Sequence, residues 1–136
     1  MPHFSSGRLL ISMALTSFGL LAANPDPGIA AIAGTWRGQS TCVTDASACH
    51  DENVVFYLKE VPGRTDVVFI QADKIVDGKP ITMGSGQWLY HRTKHTLELT
   101  APERVWELNI VGTHIEGTLT LADKSIFRRM ILDRDR

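Results

Sequence analysis

Arg104-Val105-Trp106-Glu107-Leu108-Asn109-Ile110-Val111-Gly112-Thr113-His114-Ile115-Glu116-Gly117-Thr118-Leu119-Thr120-Leu121 decides the fold class. Its first half puts Trp106, Leu108 and Ile110 on one face, with Glu107 and Asn109 opposite. Its second half answers with Ile115, Leu119 and Leu121 on one face and His114, Glu116, Thr118 and Thr120 on the other. That is period two, the mark of a strand with one buried face. Gly112-Thr113 leaves room for a tight turn only. The stretch therefore predicts an antiparallel β-hairpin.

Working outward, the same pattern recurs at short intervals. C-terminally, Ala122-Asp123-Lys124 turns the chain and residues 125–133 form a last strand. N-terminally, 96–100 places Leu97 and Leu99 on one face, and 87–92 places Trp88 and Tyr90 on one face. Residues 67–72, running on to Val76, are rich in β-branched and aromatic side chains. Asp77-Gly78 tolerates the positive φ angles of a type I′ turn and is the clearest hairpin signal in the chain. Pro80 limits the pairing of the segment after it, and Gly84-Ser85-Gly86 reads as a flexible break. Residues 53–61 alternate Val54, Phe56 and Leu58 with Val55 and Tyr57. Residues 34–41 carry Trp36, Gly38 and Ser40 on one side. No segment keeps a helical period over three turns. The expectation is an all-β, antiparallel up-and-down meander of about eight strands, closing into a small barrel that removes exposed edges. A two-sheet sandwich is the other arrangement of the same strands.

The beginning of the chain reads differently. Arg8 gives a positive start, Leu9 to Leu21 is an apolar run without charge, and Ala22-Ala23 follow. That order and length predict a secretory signal peptide over 1–23. The run is short of the roughly 20 apolar residues a spanning helix needs, so the mature protein is expected to have no membrane span. Cleavage after Ala33, following Ala31-Ile32-Ala33, is the alternative to cleavage after Ala23. Residues 24–33, with Pro25, Pro27 and Gly28, are read as a flexible lead-in, and 34–134 as the barrel domain. A secreted or periplasmic location follows. With 14 Lys and Arg against 15 Asp and Glu, and signs interspersed, the charge excludes a basic stripe for phosphate backbones. Nucleic acid is not an expected partner.

The chain has two cysteines. In an exported chain they read as one disulfide, Cys42–Cys49, closing a short loop between the first two strands. Cys49-His50-Asp51-Glu52 is the densest cluster of chemically capable side chains. His50, Asp51 and Glu52 are candidate metal ligands or members of a hydrolytic site. Alternation along an extended chain separates His50 from Asp51, and no Cys-X-X-Cys or His-X-X-X-His spacing supports zinc. Shaping of the loop is the favoured role. Nothing has the spacing of a nucleophile, base and orienting acid; no enzyme activity and no cofactor are expected.

Gly34-Thr35-Trp36 resembles the Gly-X-Trp signature that opens the first strand of lipocalins and related calycin barrels. The resemblance implies a barrel over 34–134, with an Arg or Lys of the last strand packed across the Trp. Arg128, Arg129 and Arg134 are the candidates, and alternation with Ile126, Met130 and Leu132 favours Arg128. It also implies a small apolar or amphipathic ligand. Trp36, Trp88 and Trp106 are the candidate lining, with Phe56, Phe69 and Phe127, and Arg128 would meet the carboxylate of an acyl or acidic ligand. A mostly filled core is the expectation for a barrel of this size. The alternative function is a protein-interaction or inhibitor module, akin to the small one-disulfide barrels that inhibit bacterial metalloproteases, acting through the 42–52 loop.

Overall fold

Alternating apolar residues fold into eight antiparallel strands because only pairing satisfies their backbone groups while one face is buried. In the computed structural model, which describes residues 19, 28–46 and 48–136, these are β1 (Gly34–Cys42), β2 (Glu52–Glu60), β3 (Val67–Val76), β4 (Lys79–His91), β5 (Thr96–Ala101), β6 (Arg104–Val111), β7 (His114–Leu121) and β8 (Ile126–Arg134). The order around the sheet is the order in the chain, and β8 returns to pair with β1, closing a barrel. Trp36 lies opposite Phe56 on β2 and Arg134 on β8. The signal segment expected over 1–23 falls outside the described residues, Gly19 apart.

The inner face is the one the alternation marks. Trp36, Val54, Phe56, Leu58, Val68, Ile70, Trp88, Tyr90, Leu97, Leu108, Ile110, Ile115, Met130 and Leu132 are all buried in one cluster. At Asp77-Gly78 the φ angles are 51° and 75°, with Val76 paired to Lys79, so this hairpin takes the primed turn its residues favour.

Two segments differ from the sequence reading. Of the lead-in 24–33, Gly28–Ala31 form a 3₁₀ turn, and Ile29 and Ile32 are buried in the core. A single turn has no period to display, so only its two isoleucines could have signalled it. It caps one end of the barrel, where Trp36 Nε1 donates a 2.9 Å hydrogen bond to the Ile32 carbonyl. The second is Gly84-Ser85-Gly86, which is not a break. It lies within β4, paired with β3 as Ala72 to Gly84, Gln71 to Ser85 and Ile70 to Gly86. Cross-strand bonding to a β-rich partner overrides the low strand preference of glycine.

β4 outruns its other neighbour. It pairs with β3 from Lys79 to Leu89 but with β5 only through Leu89, Tyr90 and His91. Beyond Glu98, residues 99–101 of β5 pair with β6 alone. The barrel wall therefore has a seam between β4 and β5, zipped towards the capped end and open towards the end that carries the disulfide loop. Pro80 sits on the open side, where its missing N–H costs no ladder bond.

Candidate functional site

A cavity of about 290 Å³ lies behind that seam. Phe56, Ile70 and Ala72 line it from β2 and β3, Met83, Gly84, Ser85 and Trp88 from β4, and Leu99 and Trp106 from β5 and β6. Small inward positions create it. Ala72 and Gly84 face each other across β3 and β4 where other strands place large side chains. A Cβ built on Gly84 or Gly86 would meet nothing within 4 Å, so the space beside them is open. Elsewhere the inner glycines serve close packing: a Cβ on Gly117 would stand 2.4 Å from Leu108 Cδ2.

Local irregularity shapes the lip. The register between β3 and β4 shifts between Ala72 and Asp73, where Gly84 pairs with Ala72 but Thr82, not Met83, pairs with Asp73. Met83 is thus the extra residue of a β-bulge, a feature that re-aims a side chain. It lines the cavity and is half-exposed, as is Ile81 two residues before it on the same strand. Trp88 and Trp106 meet across the floor with ring centroids 6.4 Å apart and planes tilted by 55°, within the range in which aromatic pairs attract.

The sequence candidates separate into two groups. Trp88 and Trp106 line the cavity; Trp36 and Arg128 do not. Trp36 is fully buried at the capped end, and Arg134 lies across its ring with Cζ 5.8 Å from the centroid. Arg134 also donates to the carbonyls of Ala31 and Ala33, tying the 3₁₀ turn to the last strand. Arg134, not Arg128, is therefore the cation on this tryptophan. The register explains it: Trp36 pairs with Arg134, whereas Arg128 pairs with Cys42 at the other end of β1. Alternation set the side correctly but not the height. Of the other aromatic candidates Phe56 lines the cavity, and Phe69 and Phe127 do not. Other inward positions, among them Leu58, Leu97, Leu108, Ile115 and Leu132, carry large side chains buried in one cluster.

Arg128 is tied into the wall. Its guanidinium donates to Ser40 Oγ at 3.0 Å, to the Ser40 carbonyl at 3.3 Å and to the His50 carbonyl at 2.8 Å, and stands 3.8 Å from Glu52 Oε2. These bonds hold the disulfide loop against the barrel. The loop itself contains the Cys42–Cys49 bond, and Asp51 Oδ1 accepts the Cys42 N–H at 2.8 Å. His50, Asp51 and Glu52 do not converge on one point: the His50 backbone carbonyl accepts from Arg128, the Asp51 carboxylate accepts from the loop backbone, and the Glu52 carboxylate lies 3.8 Å from both Lys74 and Arg128. Among the described residues no group of three or more His, Cys, Asp or Glu is placed to hold a metal ion. Within the loop, Val43 is the one large apolar side chain exposed among the described residues. No helix among the described residues is long and apolar enough to cross a membrane.

The lining residues missed in the sequence are Ile70, Ala72, Met83, Gly84, Ser85 and Leu99. One signal was present. Gly84 and Gly86 continue the period-two spacing of Trp88 and Tyr90, so they mark emptied positions on an inward face.

Compared with protein-family models and with curated proteins, the chain matches none.

Proposed function

We propose that this chain is an exported, non-enzymatic binding protein of lipocalin-like architecture. It takes a small apolar or amphipathic ligand in the cavity between Trp88 and Trp106. The observation that carries the reading is the cavity's construction. An apolar space of about 290 Å³, at the lower end of the range of small-molecule sites, is kept open by Ala72 and Gly84 and lined by two tryptophans. A barrel selected only for stability gains by filling such a space, because side chains around a void lose their contacts. The Gly-X-Trp opening and the Trp36–Arg134 contact support the lipocalin-like assignment. The disulfide and the apolar N-terminal run support export.

Binding of a neutral amphiphile such as decanol, followed through tryptophan fluorescence, tests this. Trp88 and Trp106 report on the cavity, while Trp36 is sealed at the capped end. Gly84→Leu fills the space without a backbone clash. Saturable binding that Gly84→Leu abolishes supports the reading; no binding, or binding unaffected by the substitution, refutes it. The alternative, an interaction module acting through the 42–52 loop, has one exposed apolar residue in its favour, Val43. That is little for an anchor, since binding energy concentrates in buried aromatic and Arg residues.

A further inference from the structure

The edge of β4 that faces the seam is unpaired over most of its length. Among the described residues, 79–88 have β3 on one side and no strand on the other. One bond fixes the direction of the backbone groups. The Tyr90 N–H reaches the Asp66 carbonyl, on the β3 side. In an antiparallel ladder successive residues turn their backbone groups to opposite sides, so those of Leu89, Gln87 and Ser85 face the seam. Ser85 pairs with Gln71, Thr82 with Asp73 and Pro80 with Ile75, which are alternate residues of β3. Thr82 and Pro80 therefore face the seam as well. The edge offers the N–H and C=O of Thr82, Ser85 and Gln87, and the C=O of Pro80.

Met83 and Gly84 both lie between Thr82 and Ser85, where a regular strand has a single residue between seam-facing positions. A plain strand laid against this edge loses register at the bulge, and bulges protect edges in this way. A second copy of β4 does not lose register. Laid antiparallel about a two-fold axis through the Met83–Gly84 peptide, it carries the same extra residue at the same place. Thr82 then lies opposite Ser85 of the second copy, and Ser85 opposite its Thr82, and each pair exchanges both backbone bonds. The Gln87 N–H meets the Pro80 carbonyl at either end, and Pro80, having no N–H, stops the ladder there. The side chains fit the same axis. Ile81 falls opposite Gly86, and Met83 opposite Gly84. Ile81 and Met83 are half-exposed, and a Cβ on either glycine meets nothing within 4 Å, so the bulky half of each strand faces the empty half of the other. Lys79 is the only Lys, Arg, Asp or Glu of β4. Antiparallel pairing puts its two copies at opposite ends, so no like charges stand opposite each other.

We propose that the chain forms a two-fold dimer through β4, in which the matching bulges at Met83 set the register and select a second copy over any other strand. Met83 and Gly84 line the cavity. Met83 of each copy, set against Gly84 of the other, adds a side chain to the wall of the other's cavity. The dimer stands whether or not the cavity takes a small ligand.

Sedimentation equilibrium over a concentration series tests the dimer, and paired cysteines test its register. The oxidised wild-type protein is expected to show a dimer fraction that rises with concentration. Ser85→Pro removes a seam-facing N–H and no bond to β3. It is expected to stay monomeric throughout, with the wild-type far-UV circular dichroism. Opposed residues that exchange both backbone bonds have Cα atoms about 5.5 Å apart, within disulfide reach. Thr82→Cys/Ser85→Cys is therefore expected to give a disulfide-linked dimer on oxidation. Within one chain the two positions are roughly 10 Å apart along the strand and cannot join. Thr82→Cys alone is expected to give no such dimer. A wild type monomeric at every concentration, a Ser85→Pro variant that dimerises as the wild type does, or a double variant that cross-links no better than Thr82→Cys would each overturn the proposal. Should Ser85→Pro fail to fold, the cross-linking comparison decides the matter by itself.

Discussion

Three arginines in and near the last strand offer a direct test of how the barrel is held shut. Arg134→Met removes the two hydrogen bonds to Ala31 and Ala33 and the contact across Trp36, and keeps most of the side chain's volume. The freed carbonyls lie near the surface and regain water, so each bond is worth roughly 0.5–1.5 kcal/mol. A cation over an aromatic face adds about 0.5–1 kcal/mol. The expected loss is about 2–3 kcal/mol, or roughly 10–15 °C in the melting temperature of a domain this size. Arg128→Met loses bonds to Ser40 and His50 and leaves the buried Ser40 hydroxyl without its partner, costing about 2 kcal/mol. Arg129 is exposed on the outer face, and Arg129→Met should stay within about 0.5 kcal/mol of the wild type. Urea unfolding of the three oxidised variants measures this. An Arg134→Met variant as stable as the wild type, or an Arg129→Met variant as weakened as Arg134→Met, would refute the assignment of Arg134 as the closure of the capped end.

Two further outcomes follow from the same geometry. Replacing both cysteines by serine opens a loop with a sequence separation of seven, and should cost about 2–3 kcal/mol in urea unfolding by loop-closure entropy; a loss under about 1 kcal/mol would show that Arg128 and Asp51 hold the loop without it. His114 donates to Asp133 at 2.8 Å and faces Glu116 at 3.4 Å, and its pKa is held above the ordinary histidine value, first by the hydrogen bond to Asp133 and then by the one to Glu116. A raised folded-state pKa stabilises below the unfolded value of about 6.5 and loses that contribution as pH rises through the folded one; the stability gap between wild type and His114→Gln should therefore be larger at about pH 5.5 than at about pH 8.5, and an equal gap at both would contradict it.

The meander was legible because each strand carries its own period-two signal, and because Asp77-Gly78 and Gly112 mark turns that need positive φ. What the sequence could not convey is set by pairing between distant segments. Whether Arg128 or Arg134 reaches Trp36 depends on the register of β8 against β1, and the two residues share a side of the strand. The seam depends on where β5 stops pairing with β4, which no local pattern encodes. The cavity was legible in half: Trp88 and Trp106 stood out as apolar, inward residues. Gly84-Ser85-Gly86 looked like punctuation because glycine signals both a break and an emptied inward position. The cluster at His50, Asp51 and Glu52 drew attention by composition, and the structure uses it in loop contacts: the His50 carbonyl with Arg128, the Asp51 carboxylate with the Cys42 N–H, and the Glu52 carboxylate between Lys74 and Arg128.

The central claim is that the cavity behind the β4–β5 seam receives the ligand. Methyl and backbone NMR shifts on adding decanol test it most directly. Saturable shifts are expected at Ala72, Met83, Gly84 and Leu99, with Val43 in the disulfide loop and the buried Leu132 unmoved. Shifts centred on Val43 and its neighbours, or spread evenly over the surface, would contradict it.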